Sequence, residues 1–353
     1  MKSILIDVNL KGRGIVNFDG GDQKWIFKDS DKFKSLYTRH DNVKYSKKVF
    51  YKDDDNKLSD FKIKISDKCI KKAIFNNDMV GQNTNFIQNP DLKFMQLGSP
   101  LFMLSGYVIT VKNGISYKKK SPITLTDAIQ TNNVKPILDT DTRSGFKQTK
   151  SDDTDKSDTT FFKVESVGDI TYNGKGTINL NELQFVSLDD YYDRWAFSVD
   201  EFEYFKKYFK MQVKSFNSEP DYFKIKDSQN SIPELGIKFS QEDVDFMVKY
   251  YLKRLLTMKI LRNNAYAEID TLRIKFVDDC VLDTFNSTDK WIEINSIDDI
   301  NNLKIVYDDF YVEMDTIESE NIRKEINDFI SKKNEVESVD DKKKNVRKKL
   351  DEK

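Results

Sequence analysis

The chain opens on SILIDVNLK (3–11), where Ile4, Ile6, Val8 and Leu10 fall on one side of a period-two repeat and Leu5, Asp7 and Asn9 on the other. That alternation predicts a half-buried strand ending at Gly12-Arg13-Gly14. A polar stretch from about Asp29 to Asp60 follows. FKIKIS (61–66) then resumes the alternation, with Phe61, Ile63 and Ile65 inward and Lys62 and Lys64 outward. Ser66 has the side chain to cap a helix whose apolar stripe is Cys69, Ile70, Ala73 and Ile74, which leaves Lys68, Lys71 and Lys72 on the other side.

PLFMLSGYVIT (100–110) predicts a short buried helical turn leading into a strand, and the polar, turn-rich segment 139–160 an irregular insertion. β-rich runs flank Asn173-Gly174-Lys175-Gly176. Asparagine and glycine accept positive φ, so this tetrapeptide predicts a hairpin turn. Ser198 and Glu201 form a capping box before Phe202, Phe205, Phe209 and Val213, and Ser240 caps a second helix carrying Val244, Met247, Val248, Tyr251, Leu252 and Leu255 on one side. AEIDTLRIKFVDD (267–279) and LKIVYDDFYVEM (303–314) supply late strands. From about Ile317 the sequence is charged and helix-favouring, with sparse apolar residues such as Ile322, Ile326, Phe329 and Ile330. Strands and helices interleaved with long insertions predict an α+β fold of ferredoxin type.

Composition narrows the function classes. With 38% hydrophobic and 12% aromatic residues, 353 residues suffice for a full core. The single histidine, His40, removes most Ser-His and Cys-His nucleophile pairs and His-rich metal sites, and Cys69 and Cys280 lack zinc-site spacing, so they read as reduced thiols. GRGIVNFDGG (12–21) has the wrong glycine spacing for a nucleotide loop. Asp7 and Asn9 break the apolar N-terminus, so neither a secretory signal nor a membrane span is expected, and the expected location is cytoplasmic. The net charge of −1 hides an asymmetry: residues 1–122 hold 23 Lys/Arg against 13 Asp/Glu. A basic first third points to a polyanion, although a helix face or a loop can carry the same excess.

Several segments, in order, resemble the crRNA-binding backbone subunit of type I Cascade complexes, a member of the repeat-associated mysterious protein (RAMP) superfamily, and most of all that of the compact variant of subtype I-F. They are LKGRGIVNFDG (10–20), NVKYSKKVFY (42–51), KISDKCIKKAIF (64–75), LSGYVI (104–109) with KKKSPITLTDA (118–128), and, the most specific, TTFFKVESVGDITYNGKGTINLNELQFVSLDDYYDR (159–194). Lys71 stands where arginine is usual, keeping the charge without the bidentate fork.

The resemblance implies a modified RNA-recognition (ferredoxin-like) fold with palm, finger and thumb-hairpin insertions. Residues 1–316 would be the RNA-binding domain, with insertions at about 29–60 and 139–178, and 317–353 a charged helical extension. It further implies a non-catalytic subunit, without metal or cofactor, that binds crRNA and polymerises head to tail with its own copies. Other Cascade subunits would join the complex, and the guide would be presented for pairing with target DNA.

The palm contacts to phosphate would be Arg13, Lys47, Lys48, Lys68, Lys71, Lys72 and Lys118, Lys119 and Lys120. Ser66 has two open roles, to cap its helix or to share free backbone N–H groups with a phosphate. Phe161 and Phe162 would stack on or wedge between bases, with Lys163 beside them, against the alternative of core packing. Arg262, Asn263 and Asn264 would reach RNA, against the alternative of a simple turn. Rival functions are a metal-dependent target-RNA nuclease using Asp169 or an aspartate within 152–158, a mobile-element mimic that poisons such complexes, and a generic RNA-binding module.

Overall fold

The computed structural model describes residues 2–18, 43–52, 54, 58–75, 97–110, 116–145, 158–228, 231–262, 265–278 and 290–328. His40, Cys280, Asn263, Asn264, the aspartates at 152, 153 and 155, and the chain beyond 328 lie outside them. Along the chain the elements are β1 (Ser3–Arg13), β2 (Val43–Lys44), β3 (Lys48–Lys52), β4 (Leu58–Ile65), α1 (Asp67–Phe75), α2 (Pro100–Ser105), β5 (Tyr107–Thr110), β6 (Ser116–Lys119), β7 (Ile123–Leu125), β8 (Ala128–Gln130), β9 (Ile137–Gly145), β10 (Asp158–Ser166) and β11 (Asp169–Asn179). There follow α3 (Leu180–Leu183), β12 (Phe185–Ser187), a 3-10 turn (Val199–Glu201), α4 (Phe202–Gln212), β13 (Asp221–Ile225), β14 (Glu234–Lys238), α5 (Gln241–Leu256), β15 (Lys259–Arg262), β16 (Ala265–Val277), β17 (Ile292–Ile294), α6 (Ile297–Asn302) and β18 (Tyr311–Glu313). A last helix covers 316–328.

Two compact units form, each from three segments: residues 1–84, 122–179 and 245–305, and residues 85–121, 180–244 and 306–353. The expected boundary at residue 316 falls inside the second. Its last helix is tied down within that unit, since Arg323 donates to Asp189 Oδ1 at 2.6 Å.

The first unit holds a nine-stranded sheet in the order β15-β16-β1-β11-β8-β4-β3, with β17 beside β16 and β7 beside β11, every ladder antiparallel. β1 is buried more thoroughly than a half-buried strand, because Leu5 and Asp7 on its second face are covered too. Arg273 and Asn173 bind the Asp7 carboxylate, which makes that burial affordable. Helices α1 and α5 meet through stacked Phe75 and Tyr251 rings 6.1 Å apart, and Arg254 Nε donates to Ile74 O at 3.3 Å.

In the second unit β12, β14, β13 and β18 form a four-stranded sheet and β5 and β6 a ribbon. The capping box at Ser198 and Glu201 starts the helical segment as the sequence predicts. Phe205 and Phe209 then build a buried aromatic cluster with Phe197, Phe216 and Phe239. Ser240 and Asp243 cap α5 reciprocally. Of the strand expected over 303–314 only Tyr311–Glu313 pairs.

Two expectations fail. Residues 169–179 are one continuous strand between β1 and β7/β8, with no hairpin turn at 173–176. The glycines there serve close approach: a Cβ at Gly176 would lie 2.8 Å from Thr124 O. The polar stretch at 139–160 is not wholly irregular, because β9 and β10 pair antiparallel from Ile137↔Ser166 to Gly145↔Asp158, and β2 joins β10 in parallel. Cross-strand backbone hydrogen bonds join the two strands of this hairpin.

Candidate nucleic-acid interface

The start of α1 follows from its sequence. Ser66 Oγ accepts from the Cys69 N–H at 3.4 Å and from Asn17 Nδ2 at 3.1 Å, so the serine acts as the cap. The Asp67 N–H is taken by Asp127 Oδ1 at 3.0 Å, while Lys64 Nζ holds Oδ2 at 2.7 Å. Burial raises the Asp127 carboxyl, but the bonds from Lys64 and the Asp67 N–H outweigh it and keep the group below its ordinary value. These N–H groups already have partners, which leaves little for a phosphate. The sequence gives no local sign of Asp127, 60 residues away.

Around this turn the first unit gathers cations from three segments. Burial holds the half-buried Cys69 thiol above its ordinary value, and the positive charges of Arg262 (β15), Lys47 (before β3) and Lys72 (α1) offset only part of that rise. Lys68 and Lys72 are exposed and Lys47 half-buried, and none of these four cations is in an ion pair among the described residues. Lys71 sits 3.9 Å from Asp67 on its own helix. Arg13 is exposed at the end of β1, with Tyr266 opposite on one side and Asp169 on the other. Asp169 is exposed, and among the described residues no three His, Cys, Asp or Glu side chains gather into a metal site.

Lys48 differs from its neighbour Lys47. Its side chain is fully buried and its Nζ is 2.7 Å from both oxygens of Glu165, so its charge is met inside the protein. On β10, Phe161 pairs with Thr142, Phe162 with Asp141 and Lys163 with Thr140 in the ladder to β9.

The lysine triplet belongs to the second unit, where β6 alternates as a strand should. Lys118 pairs with Asp193, and Lys120, exposed, with Glu182 at 3.0 Å. Lys119 is buried between them and donates to Glu182 O at 3.1 Å. The three line a cavity of about 470 Å³ with Tyr107, Val108, Tyr192, Asp193 and Arg194.

Burial pulls the Lys119 ammonium down from 10.5 to about 8. Between those values the unfolded chain holds a proton that the folded chain has lost, so this site makes the fold more stable as pH rises through that window. Wild type should therefore gain in urea midpoint on Lys119→Met from pH 8 to 10, with a constant difference below pH 8. A difference independent of pH throughout would mean that the ammonium is hydrated.

The family model described as "Type I-Fv CRISPR-associated protein Cas7fv-like" matches residues 1–296. No curated protein matches the sequence. Among solved structures, a chain of a "CRISPR RNA-guided surveillance complex" is similar at 10% identity and a TM-score of 0.36, with 85% of this chain and 81% of that one covered. A chain of a "CRISPR RNA-guided surveillance complex, pre-nicking" is similar at 9% identity and a TM-score of 0.36, with 79% and 80% covered. Among the described residues no helix is long and apolar enough to cross a membrane.

Proposed function

The chain belongs to the type I-Fv CRISPR-associated Cas7fv-like family, and from that membership we propose that it is a non-catalytic backbone subunit of an RNA-guided surveillance complex. Copies of it assemble head to tail along crRNA, with other Cascade subunits, and present the guide to target DNA. The family match over residues 1–296 carries this reading. In support, β1 lies between β11 and β16, with α1 and α5 in the connections, an order compatible with a modified RNA-recognition palm. The paired strands β9 and β10, not residues 170–178, are then the thumb hairpin, with Phe161, Phe162 and Lys163 on it.

Lys47, Lys72 and Arg262, with Lys68 and Arg13, are the phosphate contacts we assign to the first unit; in the second, Lys118 and Lys120 would reach a phosphate only by giving up Asp193 and Glu182. Lys71 and Ser66 play smaller parts, since each already has a partner inside the protein. Asn263 and Asn264 flank the set in sequence. Contacts to phosphate alone suit a carrier that must accept any guide.

The test is a titration of single-stranded RNA against salt. Each phosphate contact on a single strand contributes about 0.7 to the slope of log K on log salt. The triple variant Lys47→Gln/Lys72→Gln/Arg262→Gln should therefore lose about 2 units of slope and weaken binding to every sequence alike. A wild-type affinity indifferent to salt would overturn the proposal.

A further inference from the structure

At the β15 edge of the nine-stranded sheet the register aligns a row across four strands: Leu261 faces Tyr266, Tyr266 faces Arg13, and Arg13 faces Asp169. The next row, Ile260, Ala267, Gly12 and Ile170, is buried on the opposite face. The first row therefore stands on the open face, where Leu261 is 71% and Tyr266 42% exposed. A leucine and a tyrosine side by side in water, next to a guanidinium with no ion pair among the described residues, form an amphipathic step that the core does not need. Gly12 sets it firmly, because its missing side chain lets β16 approach: a Cβ there would lie 2.2 Å from Tyr266 O.

We infer that Tyr266, flanked by Leu261, is a stacking platform for one unpaired base of single-stranded RNA, with Arg13 taking an adjacent phosphate. This rests on the RNA-binding reading above and adds to it a contact that is not ionic. One ring face is enough for a base, and stacking tolerates any base. A second protein chain needs an interface on the order of 1,000 Å², far more than two side chains offer. The carboxylate of Asp169 closes the row beyond Arg13, so the phosphate belongs on the Tyr266 side of the guanidinium.

The experiment uses the full chain and RNA oligomers carrying 2-aminopurine at successive positions. Wild type should quench the fluorophore at a subset of positions. Tyr266→Ala should abolish that quenching and weaken binding about 5- to 150-fold with the salt slope unchanged. Tyr266→Phe should keep both quenching and affinity. Arg13→Gln should lower the slope by about 0.7 and leave the quenching in place. If Tyr266→Ala folds poorly, Tyr266→Leu, which keeps bulk without a ring, decides in its place.

Unchanged quenching and affinity in these variants, with a normal wild-type salt slope, overturns the platform and leaves the RNA-binding subunit standing. Absence of any RNA binding by wild type overturns both. A change in sedimentation of the RNA-free variants, with RNA binding intact, assigns the surface to a second copy and overturns the inference.

Discussion

Glu165→Ala is expected to destabilise the protein by about 3–5 kcal/mol, read as a fall in urea midpoint, because it strands a buried ammonium. Lys48 Nζ lies 2.7 Å from both carboxylate oxygens, and Ser46 gives Oε2 two more bonds, from its N–H at 2.7 Å and its hydroxyl at 2.6 Å. All four interactions end on one carboxylate that is itself 8% exposed. Removing it takes the ionic partner from a buried ammonium and an acceptor from two Ser46 donors in a region of low dielectric. Lys48→Met should cost less, since Ser46 still satisfies the carboxylate. In the double variant Lys48→Met/Glu165→Leu most of the loss should be recovered, because apolar side chains of similar volume often replace a buried pair at little net cost. Folded Lys48→Met should also keep the wild-type salt slope for RNA, whereas Lys47→Gln should lose about 0.7 of it. Equal slope losses at both lysines would show that Lys48 reaches phosphate after all.

Those adjacent lysines mark the limit of what the sequence discloses about the site. Composition marks both as basic, yet one is half-exposed and the other is held by a residue 117 positions away. No local pattern encodes that partner. The triplet at 118–120 is more legible, because strand alternation alone predicts that the middle lysine differs from the outer two, and Lys119 is the buried one. Helix starts were legible for the same local reason: Ser66, Ser198 and Ser240 all cap where the sequence places them. The strands β9 and β10 were not. Ile137–Gly145 is built from Asp, Thr, Arg, Ser and Gly after its first two residues, so it has no apolar repeat, and only its partner strand makes it a strand.

The opposite error occurred at β11, and a glycine series there should give the second large effect. Turn chemistry reads Asn173-Gly174-Lys175-Gly176 as a hairpin tip, where a substitution at Gly176 would be felt through φ alone. Yet the only glycines with positive φ among the described residues are Gly14 and Gly106. Gly176 instead faces Ile6 of β1 on one side and Leu125 of β7 on the other. A Cβ there would lie 2.6 Å from Leu125 Cδ2 and 2.8 Å from Thr124 O. The leucine tip can swing away, but the carbonyl belongs to the β7 backbone, so β7 must move and its ladder with β11 loosen. Overpacking of this kind costs about 1–3 kcal/mol for a methyl group, and Gly176→Val, with a branched side chain, should exceed that range. Gly174→Ala should cost less, since its nearest neighbour is the Ala128 Cβ at 3.2 Å. Gly168→Ala, with nothing within 4 Å, should be close to neutral. Urea midpoints should therefore fall in the order Gly168→Ala, Gly174→Ala, Gly176→Ala, Gly176→Val. A series in which Gly176→Val unfolds at the wild-type midpoint would return residues 173–176 to an exposed turn and take β11 out of the middle of the sheet.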